Sequence, residues 1–160
     1  MSIHPGEVHH EVECVVRLDE RLEPAGIAVG LDLTDRLTQG ELRADQLPWT
    51  KGKCFRSSAV IGGWSAWNGT WEDLVDPRIG LHLSLSVNDV LRQSTPLYEM
   101  SVTPRQQIAS LEAWAPVEDG DTLFTGTPEG VGQLFQGDRV QARLTNATGV
   151  VLSEIDIACA

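Results

Sequence analysis

Basic side chains are scarce in this chain. Twelve lysines and arginines stand against 23 aspartates and glutamates, a formal net charge of −11 over 160 residues. Such a surface disfavours a nucleic acid or an anionic membrane as partner, because both need positive charge on the protein. It also disfavours small anions unless a cation, or a local group of Lys and Arg, inverts the field. No apolar run approaches the ~18 residues of a membrane-spanning helix, and Met1–Gly6 lacks the basic-then-apolar order of a secretory signal. The three cysteines, Cys14, Cys54 and Cys159, are far apart and form no Cys-x-x-Cys pair, so neither a zinc knuckle nor a disulfide framework is indicated. A reducing cytoplasm fits these features. No Gly-x-Ser-x-Gly elbow occurs, which leaves a Ser-His-Asp triad without its nucleophile. Low-complexity tracts and internal repeats are also missing.

What remains is a globular composition, 41% hydrophobic and 22% charged, which at this length predicts a single domain over residues 1–160 with a substantial core. The pattern predicts strands over 8–18, 26–33, 81–87, 90–93, 122–125, 139–144 and 150–157, with Asn88-Asp89 as a two-residue hairpin turn. Thr103, Pro104 and Gln106 spell a helix start with a capping box. That helix presents Ile108, Leu111 and Ala115 and stops before Pro116. Residues 34–46 predict a second, short helix made uneasy by Gly40, residues 47–53 a loop, and 54–64 carry mixed signals. The inventory is α+β and strand-rich. Trp64, Trp67 and Trp71 crowd one segment, the pattern of core or subunit interface rather than of a ligand cage.

Chemistry concentrates in few places. In an extended strand Glu11 and Glu13 project from one face, roughly 6.6 Å apart. Such a pair is either an acidic solvent face, with Val12, Val15 and Val16 inside, or the beginning of a site for a hard cation such as Mg²⁺ or Ca²⁺. Asp32 sits inside the apolar run Gly26–Leu33, where an unpaired carboxylate is costly; Arg36, four residues on, is one possible partner. His4, His9 and His10 are candidate ligands, although clustered N-terminal histidines are more often exposed. Lys53, beside apolar Phe55, has the ordinary surface role as its plain alternative. The loop Gly126–Gly132 has no Lys-Ser/Thr and no following helix, which rules out a P-loop. Its glycines make either a plain turn or a close backbone approach to a small ligand.

Five stretches in order, His9–Glu13, Leu31–Arg36, Leu47–Lys53, Val87–Gln93 and Thr125–Gly132, resemble the fumarylacetoacetate hydrolase family, and within it the branch of acylpyruvate hydrolases, oxaloacetate decarboxylase-tautomerases and 2-hydroxyhepta-2,4-diene-1,7-dioate isomerases. The resemblance implies a mixed β-sandwich roll of the family's C-terminal domain type, assembled as a homodimer. It implies Mg²⁺, or Mn²⁺ or Ca²⁺, held by Glu11, Glu13 and Asp32. Arg36, Gln39, Lys53 and Thr127 fall on positions that line the substrate pocket, and a small anionic oxo acid is the expected partner. The implied reactions are C–C hydrolysis, decarboxylation or keto–enol isomerisation.

Two departures from the family pattern accompany this. Family enzymes carry a catalytic His and Glu on a lid well upstream of the Glu-x-Glu strand, and the sequence given starts after it. His4 and Glu7 copy the His-x-x-Glu spacing but lie directly before the strand, with Pro5 as its lead-in, so the role does not transfer. Asp19–Gly26 leaves room for only a turn where relatives have a helix. A lid-less, non-catalytic oxo-acid binder, a subunit completed by another chain, and a piece of a longer gene product are the competing expectations.

Overall fold

The alternating run at the N-terminus folds as two strands rather than one. A computed structural model describes His4 and residues 6–160; Pro5, the expected lead-in, lies outside the described residues. Strand β1 covers Val8–His10 and β2 covers Val12–Leu18, with Glu11 at the break. After the turn at Asp19, whose carboxylate accepts the N–H groups of Arg21 and Glu23, β3 runs Pro24–Asp32 and β4 takes Thr34–Asp35. The break at Glu11 follows from pairing, which alternation does not encode. β1 pairs with β4, whereas β2 pairs with β3.

Helix α1 is Arg36–Ala44, capped by Asp35, whose carboxylate accepts from the N–H and hydroxyl of Thr38. A capping acceptor of this kind is worth about 1 kcal/mol. Gly40 sits in α1 with open space around it, so it weakens the helix without breaking it. The expected loop at 47–53 ends instead in a one-turn helix, α2, Thr50–Lys53. The turn packs closely on α1: a Cβ on Gly52 would stand 3.0 Å from the backbone nitrogen of Gln39, so a larger residue there would push the two apart.

Strands β5 (Ala59–Ile61) and β6 (Ser65–Ala66) follow as short edges on β3. Strand β7 (His82–Val87) alternates as expected, with Leu83, Leu85 and Val87 buried. Asn88 and Asp89 both adopt positive φ, 51° and 63°, the geometry of a hairpin turn matched to strand twist. Strand β8 then runs Val90–Pro96, three residues beyond the expected end. Helix α3, Pro104–Glu112, has the capping box at Thr103 and Gln106; it ends short of Ala115. Strands β9 (Thr122–Phe124), β10 (Gly132–Gln133), β11 (Arg139–Thr145) and β12 (Val151–Ala158) complete the chain.

Three sheets result, in the orders β5-β3-β2-β9 with β6 also on β3, β12-β11-β7-β8, and β10-β1-β4. All pairings given among the described residues are antiparallel. The first two sheets pack through β2 against β7 and β3 against β11 and β12. Val12, Cys14, Val16, Ile27, Val29 and Leu31 point into the core between them, with Leu83, Leu85, Val140 and Leu144 opposite. The fold is therefore α+β and strand-rich, a β-sandwich roll. The three tryptophans part company: Trp71 is core, Trp67 packs at its margin, and Trp64 is exposed with the Arg17 guanidinium over its ring. Among the described residues no helix is long and apolar enough to cross a membrane.

Candidate metal centre

The β2–β3 register pairs Val12 with Leu31 and Glu13 with Gly30, and the Asp32 N–H donates to the Glu11 carbonyl at 2.9 Å. Residues opposite one another in an antiparallel ladder share a face. Val12, Cys14, Val16 and Leu31 take the core face, so Glu11, Glu13 and Asp32 project together from the other. Val15 is as buried as Val12 and Val16 but lies on the acids' face of the strand, not on theirs. One carboxylate oxygen from each of the three acids lies within 4.8 Å of the other two.

The charges around them are unevenly distributed. Lys53 Nζ donates to Glu11 at 2.8 Å and Asp32 at 2.6 Å. Arg36 binds the other oxygen of Glu11 and donates to Gln39 Oε1 at 2.6 Å. Arg36 thus serves Glu11, not Asp32, because the cap at Asp35 starts α1 with Arg36 aimed across the ladder. Burial works against the charge on Glu11, yet Lys53 and Arg36 outweigh it and hold the carboxyl below its ordinary value. Burial raises Asp32, with Lys53 opposing. Burial also disfavours the Lys53 ammonium, but hydrogen bonds to Asp32 and Glu11 keep it above the usual lysine range.

Glu13 feels the charge of Lys53 but has no hydrogen bond from a basic side chain among the described residues. It is 4% exposed, and the hydrogen bond given to its carboxylate comes from the Gly126 N–H at 2.5 Å. Burial pushes its carboxyl up to about 7, against the pull of that N–H and with the charges of Asp32 and Glu11 adding to the rise. A buried, under-compensated acid beside two more, all offering hard oxygen, fits a divalent cation.

Hydrogen bonds join Glu11 and Asp32 through Lys53 and join Glu11 to Arg36, and Glu13 reaches the loop that carries Thr127 through the Gly126 N–H. Gln39 is buried under Arg36. Thr127 follows Gly126, whose N–H is already on Glu13, and borders a cavity of about 280 Å³ that is lined also by Leu83, Thr95, Met100, Val102 and Gln107. None of the three acids lines that cavity, so it supplies room beside the loop rather than a cation seat.

The histidines correct the expectation of exposure. His10 is 1% exposed and its Nδ1 meets Gln93 Oε1 at 2.9 Å; burial lowers its pKa against that hydrogen bond. His9 pairs with Glu7 at 2.8 Å. His4 stacks on Phe55 and reaches Asp35 at 3.2 Å. Gln93 is the residue that sequence reasoning missed. It lies at the end of the quoted stretch Val87–Gln93, but in a hairpin whose other polar residues face water it carries no mark of its own.

Residues 5–155 match the family model for the C-terminal domain of fumarylacetoacetate (FAA) hydrolase. The chain is 35% identical over 152 residues to the mitochondrial oxaloacetate tautomerase of Mus musculus, covering 89% of this chain and 66% of that protein. It is 36% identical over 145 residues to the oxaloacetate tautomerase of Escherichia coli K12, covering 84% of this chain and 64% of that one. It therefore spans just under two thirds of these curated relatives. Among solved structures it superposes on a fumarylacetoacetate hydrolase family protein from yeast with TM-score 0.84 at 27% identity, covering 99% of this chain and 69% of that one. It superposes on fumarylpyruvate hydrolase from Pseudomonas aeruginosa, in complex with Mn²⁺ and pyruvate, with TM-score 0.81 at 27% identity, covering 100% and 70%. On this fold, this register of acids and these matches, the chain belongs to the fumarylacetoacetate hydrolase family.

Proposed function

We propose that the protein is a divalent-cation-dependent enzyme of small 2-oxo acids, with keto–enol interconversion of oxaloacetate or a close analogue as its reaction. The observation that carries this is the convergence of Glu11, Glu13 and Asp32 under Lys53 and Arg36. Acids of that kind hold Mg²⁺ or Mn²⁺, and the two basic residues offset the net charge that would otherwise repel an anion. A cation bound there supplies Lewis acidity to the oxygens of a chelating oxo acid.

The chain's own groups do the rest. Lys53 stays protonated, so it serves as a fixed positive charge near the oxygen on which negative charge develops during enolisation. Arg36 is braced by Gln39 and holds Glu11 in place. Thr127, next to the Gly126 N–H that fixes Glu13, is positioned to orient a ligand carboxylate. Tautomerisation moves one proton from C3 to the 2-oxo oxygen. It breaks no bond between heavy atoms and consumes no water, so it asks less of the protein than hydrolysis. The identity to oxaloacetate tautomerases supports this choice.

A second reading, hydrolysis of an acylpyruvate, is favoured by the likeness to the P. aeruginosa enzyme in complex with Mn²⁺ and pyruvate. Both are tested by following enol oxaloacetate and acylpyruvate absorbance with Mg²⁺ or Mn²⁺, wild type against Glu11→Ala. The expected result is cation-dependent turnover that falls on the order of 100-fold or more in the variant. Oxalate binding without turnover of either compound would replace the enzyme with a binder. Cation affinity unchanged in Glu11→Ala would remove the metal site.

A further inference from the structure

The Gln93 side chain is 1% exposed and every hydrogen-bonding position it needs is taken. Its Oε1 accepts from the Val12 backbone N–H at 3.1 Å and meets His10 Nδ1 at 2.9 Å; its Nε2 donates to Thr127 Oγ1 at 2.8 Å and to the Pro128 carbonyl at 3.0 Å. The direction of these bonds is not free. A backbone N–H can only donate and a carbonyl can only accept, so Val12 and Pro128 fix which end of the amide is oxygen. His10 must then present an N–H at Nδ1 whatever its charge. Thr127 must accept from Gln93, which leaves the hydroxyl hydrogen of Thr127 with no protein acceptor among the described residues.

We infer that Gln93 is a positioning residue: it occupies one lone pair of the Thr127 hydroxyl and leaves the hydroxyl hydrogen to donate to the ligand, so that the site favours an oxygen acceptor, a carboxylate or keto oxygen, at that point. This deepens the proposed function and rests on it for the ligand class. The same amide ties the loop after Thr125 to β2, one residue from Glu11 on one side and one from Glu13 on the other. Gly130 closes the loop further along: its φ is +96° and a Cβ there would stand 2.0 Å from the Arg92 carbonyl oxygen, directly before Gln93. Donor and acids are thus held in one frame by a single side chain.

The test uses the purified chain in saturating Mg²⁺, with oxalate binding by calorimetry and oxaloacetate kinetics measured in parallel on wild type, Gln93→Met, Gln93→Glu, Thr127→Val and the double variant Gln93→Met/Thr127→Val. Oxalate affinity and KM are expected to worsen about 10-fold in Gln93→Met and Thr127→Val, and the double variant to be no worse than Thr127→Val alone. Mg²⁺ affinity is expected to stay within about 2-fold in all of them, because no cation ligand is altered. Gln93→Glu keeps the shape but places an acceptor opposite both Thr127 and the Pro128 carbonyl; it draws the Thr127 hydrogen away from the ligand and is expected to weaken oxalate at least as much as Gln93→Met, with circular dichroism checking that the fold is kept. Additive losses in the double variant, or oxalate affinity unchanged in Gln93→Glu, would overturn the inference. If wild type binds oxalate but turns nothing over, the enzymatic reading fails while the binding comparison still decides the role of Gln93. If wild type binds no oxalate, both fail.

Discussion

Lys53 Nζ lies 2.6 Å from Asp32 Oδ2, and these two residues sit 21 positions apart on different elements. The same ammonium reaches Glu11 at 2.8 Å. One cation therefore neutralises two of three clustered acids and leaves the third, Glu13, to burial and one backbone N–H.

Removing that ammonium leaves three acids facing one another. Lys53→Met is expected to lower stability in the absence of divalent cations by on the order of 2 kcal/mol at pH 8, a discounted figure because the pair is partly solvated. Added Mg²⁺ recovers most of the loss. Oxo-acid turnover is expected to fall on the order of 100-fold even with saturating Mg²⁺, because the fixed positive charge is gone. Thermal melts with and without Mg²⁺, alongside the kinetic assay, check both. A variant that melts at the wild-type temperature in chelator contradicts the arrangement.

Glu13 sets a pH dependence for the cation-free protein. Its carboxyl titrates at about 7 in the fold against an ordinary 4.5. Between those values the unfolded chain has lost a proton that the folded chain keeps. Stability contributed at this position is therefore highest below about pH 4.5 and declines as the pH rises to about 7, by on the order of 3 kcal/mol. In Glu13→Gln that decline disappears while the Gly126 N–H keeps an oxygen to donate to. Melting curves in chelator are expected to place the variant above wild type at pH 8 and close to it at pH 5, with Mg²⁺ stabilising wild type alone. An identical pH trend in the two proteins would count against it.

The loop carrying Thr127 depends on a glycine at 130. Gly130→Ala meets both a positive φ and the Arg92 carbonyl, so either the loop or β8 must shift. The expected outcome is a loss of about 1–3 kcal/mol and a KM raised about 10-fold or more. Mg²⁺ affinity should change less than KM, since Glu11 and Asp32 lie outside the loop and Glu13 is bonded to it through the Gly126 N–H. Calorimetry with Mg²⁺ and steady-state kinetics separate the two effects; a Mg²⁺ affinity that falls as far as KM rises would place the loop in the cation site itself.

The sequence alone was enough to find the strand-rich class, the hairpin at Asn88-Asp89, the capped start of α3, and the three acids that cluster with Lys53 and Arg36. These are local signals: alternation, turn residues, a capping box, an acid inside an apolar run, and motifs in a fixed order. What it left open was everything set by partners distant in the chain. The break at Glu11 follows from β1 and β2 joining different sheets. The helical turn before Cys54 packs through Gly52 on Gln39, a contact that no local pattern marks. His10 is buried, and Gln93 matters, only because β8 and the loop after Thr125 meet β2. Glu11 and Glu13 could be an acidic strand face in any strand with this alternation. The register that sets Asp32 opposite Glu11, and the packing that buries Glu13 without a basic partner, decide that they form one site; period-two patterning records which face a residue occupies, but not what lies across from it.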